Sequence, residues 1–342
     1  MLAETIDPVH EFRHRPDADP AYNESTYYNF ATPDGAVTGW MRIAFQPNRA
    51  AAQASVLLFL PGETLFDYMR VTDASDDELA VGGVRFEIEI PHVAQQLRFA
   101  GRLRSFADAR RLVDPSVAFR SAPQRDVDVR LSVQARGEPF GTNGEDPARH
   151  LERTMALGHF EQFIDVDGEI VVDGRRTPVQ GAGMRDHSWG PRDWAGPSWY
   201  RWITATLDDG TSIMVLQVAK RDGTMTREAV VRRDGRLESA AFDEIEVEWT
   251  DDGFGAVASC ALDVGGDDLH LRAEVRDRKQ FTPLKHSRPD GEGGTLETRI
   301  GYAPYRFTTS DGRSGAGIVE ILDQLVEGRP VSMRARRTGA LP

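Results

Sequence analysis

The 342-residue sequence predicts an all-β protein built from two consecutive antiparallel barrel or sandwich domains with few short helices. Three observations carry this. Apolar and polar residues alternate at period two in many short runs, the pattern of a strand with one face on a core. Asp-Gly and other glycine turn signals separate those runs at short intervals. The strand-like runs number roughly 15, too many for one small barrel. We therefore expect two domains of about 170 residues, residues 1–174 and 175–342.

In chain order, residues 1–23 are polar and punctuated by prolines, and read as an arm over the surface. Tyr27–Phe30 leads into the turn Thr32-Pro33-Asp34-Gly35, and Gly39–Phe45 has alternating faces. Ala54–Leu60 reads as a buried strand stopped by Pro61-Gly62. Arg85–Ile90 alternates charged and apolar residues until Pro91. Gln96–Phe106 and Asp128–Gln134 are predicted strands, while Ala107–Leu112 and Pro147–Met155 are the only predicted helices. His159–Val166 is expected to turn at Asp167-Gly168 into Glu169–Val172, and Tyr200–Leu207 at Asp208-Asp209-Gly210 into Ser212–Ala219. Strands at Glu228–Arg232, Glu244–Thr250, Ala256–Val264, Leu269–Arg276, Thr295–Phe307 and Ala316–Glu320 complete the second domain.

Composition narrows the function. With 40% hydrophobic and 28% charged residues the chain reads as soluble and globular. Lys+Arg total 41 against 54 Asp+Glu, a net charge of −13 that repels nucleic acid and anionic lipid. The single cysteine, Cys260, excludes an internal disulfide and any cysteine-rich metal site. Met1–Asp7 has no basic leader, and the longest apolar run, Val56–Leu60, is too short to span a bilayer. A cytoplasmic location without stable membrane insertion is expected, and a homodimer is possible.

The chemistry concentrates in Gly181–Trp202, 22 residues holding four of the six tryptophans beside an Asp-His pair and three arginines. Trp is usually buried while Asp, His and Arg prefer water unless paired, so the mixture points to the wall of a pocket. Asp186-His187 reads as a general acid–base unit, or as a structural network with Arg185 or Arg192. On a regular strand only one of two adjacent residues faces the pocket. Trp189, Trp194, Trp199, Tyr200 and Trp202 either line an apolar cavity and stabilise a developing cation or pack as core. His159 and Glu161, two apart on one strand face, read as a second acid–base pair across the cavity from His187, or as exposed charge on an ordinary strand. Glu320 is expected in an ion pair with an arginine such as Arg185.

The run Gly181, Gly183, Asp186, His187, Ser188, Trp189, Gly190 resembles the Asp-His-Asn-Trp-Gly signature of the carotenoid hydratase and kievitone hydratase group, a superfamily of paired lipocalin-like domains that includes Diels–Alderase-type cyclases. Arg185–Trp194 with His159-Phe160-Glu161-Gln162 upstream and Asp311–Glu320 downstream is similar to an uncharacterised bacterial branch. The resemblance implies two antiparallel lipocalin-like barrels and cofactor-independent chemistry on an apolar, isoprenoid- or polyketide-like molecule held between them. It maps the active histidine and tryptophan onto His187 and Trp189. A Tyr-x-Asp pair expected on a following strand is not matched by Thr211–Gln217.

The Gly181-Ala182-Gly183 run lacks the context of a dinucleotide loop, no Walker-type loop occurs, and Ser188 has no Gly-x-Ser-x-Gly frame. No cofactor is expected. Nor is a metal, since the histidine spacings are not those of common ligand motifs. The leading expectation is a hydratase- or cyclase-like lyase or isomerase with His187, Asp186 and Trp189 as catalytic residues. Trp194, Trp199, Tyr200, Trp202, His159, Glu161 and Arg185 would bind the substrate. The alternative is a carrier that holds a hydrophobic ligand without converting it.

Overall fold

The computed structural model describes residues 5–72, 78–146, 155–291 and 293–333. Most of the chain is strand. The first set comprises β1 Tyr22–Ala31, β2 Thr38–Gln46, β3 Ala51–Leu60, β4 Glu63–Thr72, β5 Ala80–Val81, β6 Val84–Ile90, β7 Ala94–Phe106, β8 Gln124–Ala135, β9 Phe140–Thr142, β10 Gly158–Val172 and β11 Arg175–Pro191. They form one antiparallel sheet in the order β4-β3-β2-β1-β11-β10-β8-β7-β6-β5, and pairing of β4 with β7 closes the ring into a barrel. Its interior is filled by alternate residues such as Met41, Ile43, Leu58, Phe99, Leu131 and Ile164.

The second set is β12 Pro197–Leu207, β13 Ser212–Lys220, β14 Met225–Arg233, β15 Arg236–Ser239, β16 Glu246–Trp249, β17 Gly255–Val264, β18 Asp267–Val275, β19 Thr282–Pro289, β20 Thr295–Thr309, β21 Ser314–Val326 and β22 Arg329–Pro330. Its order is β15-β14-β13-β12-β21-β20-β18-β17-β16, with an isolated bridge Ala241–Asp263 joining the segment after β15 to β17. Ile203, Val215, Leu271, Tyr305, Phe307 and Val319 build its core. Both units are lipocalin-like antiparallel β domains, as expected.

The boundary is not where the sequence reading put it. The compact units are Met1–Phe106 with Ala122–Asp193, and Ala107–Ser121 with Trp194–Pro342. A cut at 174/175 would split the β10–β11 hairpin, which is paired in register from Gly158↔Trp189 to Val172↔Arg175. The Asp-His-Ser-Trp-Gly run therefore belongs to the first barrel, between β1 and β10.

That hairpin also moves its turn. Residues 167–168 lie inside β10, because β8 and β11 pair along both of its edges there. The chain reverses instead at Asp173-Gly174, both at positive φ (47° and 81°), the backbone of a two-residue hairpin loop. The hairpin at Asp208-Asp209-Gly210 forms as predicted. Glu63–Thr72, unread in the sequence, is a full strand. Around residues 107–121 the expected helix is a 3-10 turn, Ala109–Val113, followed by the α-helix Pro115–Ser121. Residues 147–154 of the other expected helix lie outside the described residues. No helix among the described residues is long and apolar enough to cross a membrane.

Candidate functional site

Strand alternation splits the signature run between the two faces of the first sheet. Cross-strand partners share a face, and Tyr28↔Arg185, Thr26↔His187 and Glu24↔Trp189 on β1 match Gln162↔Arg185 and Phe160↔His187 on β10. Tyr28 is a core residue of the barrel. Arg185, His187 and Trp189 therefore point inward and Asp186 and Ser188 outward. Asp186 and His187 are not one acid–base unit.

Inward, the segment expected to be a surface arm covers one end of the first barrel. It begins with a 3-10 turn, Pro8–Glu11, capped by the Asp7 carboxylate on the Val9 N–H. Glu11 is buried and accepts two hydrogen bonds from the Arg185 guanidinium, at 2.5 and 2.8 Å. It also accepts the His92 N–H at 2.8 Å. Arg185 Nε donates to Gln162 Oε1, and Gln162 Nε2 donates to the carbonyls of His92 and Gly137. Burial alone would raise the Glu11 pKa, but Arg185 and the His92 N–H hold it below its usual range. Arg185, expected to bind substrate or pair with Glu320, is a structural cation.

One turn of chain further on, Glu24 gathers two histidines. Its Oε1 lies 2.7 Å from His14 Nδ1 and 3.0 Å from His187 Nε2, and the carboxylate also accepts the His14 backbone N–H. Burial pushes Glu24 upward, but the hydrogen bonds to both histidines outweigh it and hold its pKa at about 2. His14 Nε2 is 2.9 Å from His10 Nδ1. Trp189 lies flat on His14, with centroids 3.8 Å apart and planes at 15°, and edge-on to His187. It packs with Ile6, Tyr22 and Phe160. His187 Nδ1 has no hydrogen-bond partner among the described residues.

Outward, Asp186 stands between Tyr27 on β1 and Glu161 on β10, and His159 is paired with Ser188 one step along. His159 and Glu161 thus accompany Asp186, not His187 as expected. Tyr27 and Trp40 are neighbours on this face, with ring centroids 5.7 Å apart. Arg192 donates to Ser188 Oγ at 2.7 Å. Burial raises the Asp186 carboxyl to about 6 against the pull of Arg192 and Arg42. It lowers the His159 imidazole to about 3, helped by Arg192. Both keep part of their surface accessible.

The remaining expected pocket residues belong to the second unit. Trp194 stacks on His286, and its carbonyl accepts from Thr298 and Gln324. Trp199 faces inward under Arg201, whose guanidinium is 4.8 Å from the ring centroid and 3.0 Å from Asp323 Oδ2. Tyr200 and Trp202 take the opposite face, where the Tyr200 hydroxyl donates to Glu320. Glu320 thus accepts from a tyrosine, while Arg185, the arginine named for it, is held by Glu11.

A family described as a domain of unknown function, DUF7064, matches residues 7–325. The chain belongs to this family. No curated protein matches it. Among solved structures, a Nitrosomonas europaea protein assigned as AttH is similar over 94% of this chain and 97% of its own, with 16% identity and a TM-score of 0.59. CghA crystallised with Sch210972 is similar over 96% and 97%, with 13% identity and a TM-score of 0.55. Kievitone hydratase from Nectria haematococca covers 93% of each chain at 13% identity and a TM-score of 0.47. At these identities the likeness to the first two is one of fold.

Sequence reasoning missed His10, Glu11, His14 and Glu24. The signal was present: two of the eight histidines fall four residues apart in a segment with two nearby glutamates. Polar and proline-rich composition outweighed it. Only the partners on β11 make these groups inward-facing.

Proposed function

We propose that this member of the DUF7064 family is a hydratase- or cyclase-type enzyme that transfers protons on an apolar, unsaturated small molecule without an organic cofactor. Asp186 is the acid and Glu161 the base. The observation that carries this reading is the direct cross-strand pairing of two carboxylates, Asp186 and Glu161, on the face that also carries His159, with Tyr27 paired to Asp186 on its other side and Trp40 next to Tyr27. Side chains directly opposite in an antiparallel ladder have Cβ atoms about 4.5–5.5 Å apart. Burial, which raises the Asp186 carboxyl to about 6, lets it hold a proton that an ordinary carboxyl would lose, and the Glu161 carboxylate opposite it is assigned the accepting role.

In this scheme the Asp186 O–H gives its proton to an alkene carbon, forming a C–H bond and leaving a cation on the neighbouring carbon. Aromatic faces stabilise such a cation by about 2 kcal/mol or more when water is excluded. The Glu161 carboxylate then takes a proton, from an attacking water in a hydration or from an adjacent carbon in an isomerisation. Transfer back to Asp186 restores the site. His187 and Trp189 act from the inner side as positioning residues that fix β11. The same double-barrel fold in CghA, crystallised with the small molecule Sch210972, supports a small-molecule ligand here.

The test is mass spectrometry of the molecule that co-purifies with the chain, followed by its turnover with wild type and Asp186→Asn. Equal retention with conversion lowered about 10²–10⁴-fold supports the assignment, the usual contribution of a positioned acid. Unchanged conversion by Asp186→Asn overturns it. A ligand that wild type retains and never converts makes the protein a carrier.

A further inference from the structure

We propose that His14, Glu24 and His187 form a binding site for a divalent transition-metal cation, with zinc as the fitting ion. This goes beyond the proton-transfer reading, which uses the other face of β11 and does not depend on it.

One ligand atom from each residue lies within 4.8 Å of the other two. Two of these separations are already 2.7 and 3.0 Å, both measured to the same Glu24 oxygen. Atoms bound to one zinc at about 2.0–2.2 Å lie no more than about 4.4 Å apart. In a tetrahedral site the donors lie about 3.4 Å apart, close to the two Glu24 separations, and a pair near the 4.8 Å limit has to close by about 1 Å or more around the ion. Two imidazoles and a carboxylate are a recognised zinc donor set that leaves a further coordination position for solvent or a ligand. The same donors suit other first-row divalent ions, whereas calcium and magnesium prefer oxygen alone.

The surroundings are those of a built site. Glu24 and His187 have side-chain exposures of 3% and 1%, so their positions are set by the barrel and not by solvent. His14 Nε2 faces His10 Nδ1 at 2.9 Å, the outer hydrogen bond that orients a ligating imidazole and fixes its tautomer. Trp189 covers the His14 ring, and Phe160 approaches His187 edge-on. His14 and Glu24 come from the adjoining N-terminal segment and β1, ten residues apart, and His187 from β11, 163 residues beyond Glu24. A cation here would bind the covering segment to the barrel wall.

The full-length protein is stripped with chelator, then titrated with Zn²⁺ by calorimetry and with Co²⁺ by visible absorption. Melting is followed with and without metal. One equivalent of Zn²⁺ per chain, Co²⁺ bands of a low-coordinate nitrogen and oxygen site, and a higher melting temperature are expected. His14→Ala and Glu24→Gln should each weaken Zn²⁺ binding about 100-fold or more, and His10→Ala about 10- to 100-fold through the lost outer hydrogen bond. His14 lies outside the strands, so His14→Ala should leave the metal-free fold intact, as circular dichroism would verify. Absence of stoichiometric binding in the wild type overturns the proposal. So does binding that His14→Ala and Glu24→Gln leave unchanged. Either result leaves the Asp186→Asn turnover comparison standing on its own.

Discussion

The Glu11 carboxylate holds the Arg185 guanidinium through two hydrogen bonds, 2.5 and 2.8 Å long, although 174 residues separate them in the chain. Both side chains are almost wholly shielded from solvent. Removing one partner of a buried pair leaves an uncompensated charge, which costs about 3–5 kcal/mol. Glu11→Ala should therefore lower the free energy of unfolding by about that amount in urea titration. Replacing both partners together, as Glu11→Leu with Arg185→Met, should cost less than the single change because no charge is stranded. A double variant less stable than Glu11→Ala would contradict this account.

Gly158 stands opposite Trp189 in the β10–β11 ladder, and the indole occupies the volume that a Cβ at 158 would need. Gly158→Ala should displace Trp189 from His14 and cost about 1–3 kcal/mol as an overpacked site. Tryptophan fluorescence should shift together with the unfolding midpoint. An unchanged emission spectrum would mean that the ring does not depend on this glycine.

His159 carries a pH dependence whose sign is fixed by its lowered pKa. The unfolded chain takes up a proton near the ordinary value of 6.5, while the folded state resists protonation down to about 3. Between those values the unfolded state binds more protons, so stability falls as the pH is lowered. His159→Gln should flatten that part of the stability curve. Denaturant midpoints measured at pH 7, 6, 5 and 4 for both proteins would show it, and parallel curves would refute it.

Burial pushes the Cys260 thiol up to about 12. As thiolate is the reactive form, the native protein should react far more slowly with a thiol-specific reagent than the denatured chain. One equivalent should titrate after unfolding, since Cys260 is the only cysteine. Rapid native labelling would place the sulfur at the surface.

Alternation and turn signals were sufficient for the fold class because each acts within a few residues. Arg85–Ile90 and the hairpin at Asp208-Asp209-Gly210 were legible for that reason. The turn at Asp173-Gly174 was misplaced to Asp167-Gly168 because both dipeptides carry the same local preference. The pairing of β10 with β8 and β11 chose between them.

The sequence by itself determined that this is a β protein of two lipocalin-like units and that its densest mixture of tryptophans with titratable residues is Gly181–Trp202. Period two also required that adjacent residues part to opposite faces. Tertiary structure alone decided who meets them: Glu161 and His159 for Asp186, and Glu24 and His14 for His187. The physical reason is that strand register and the course of the N-terminal segment are set by contacts between residues far apart in the chain. No local preference encodes which distant side chains will share one face of a closed barrel.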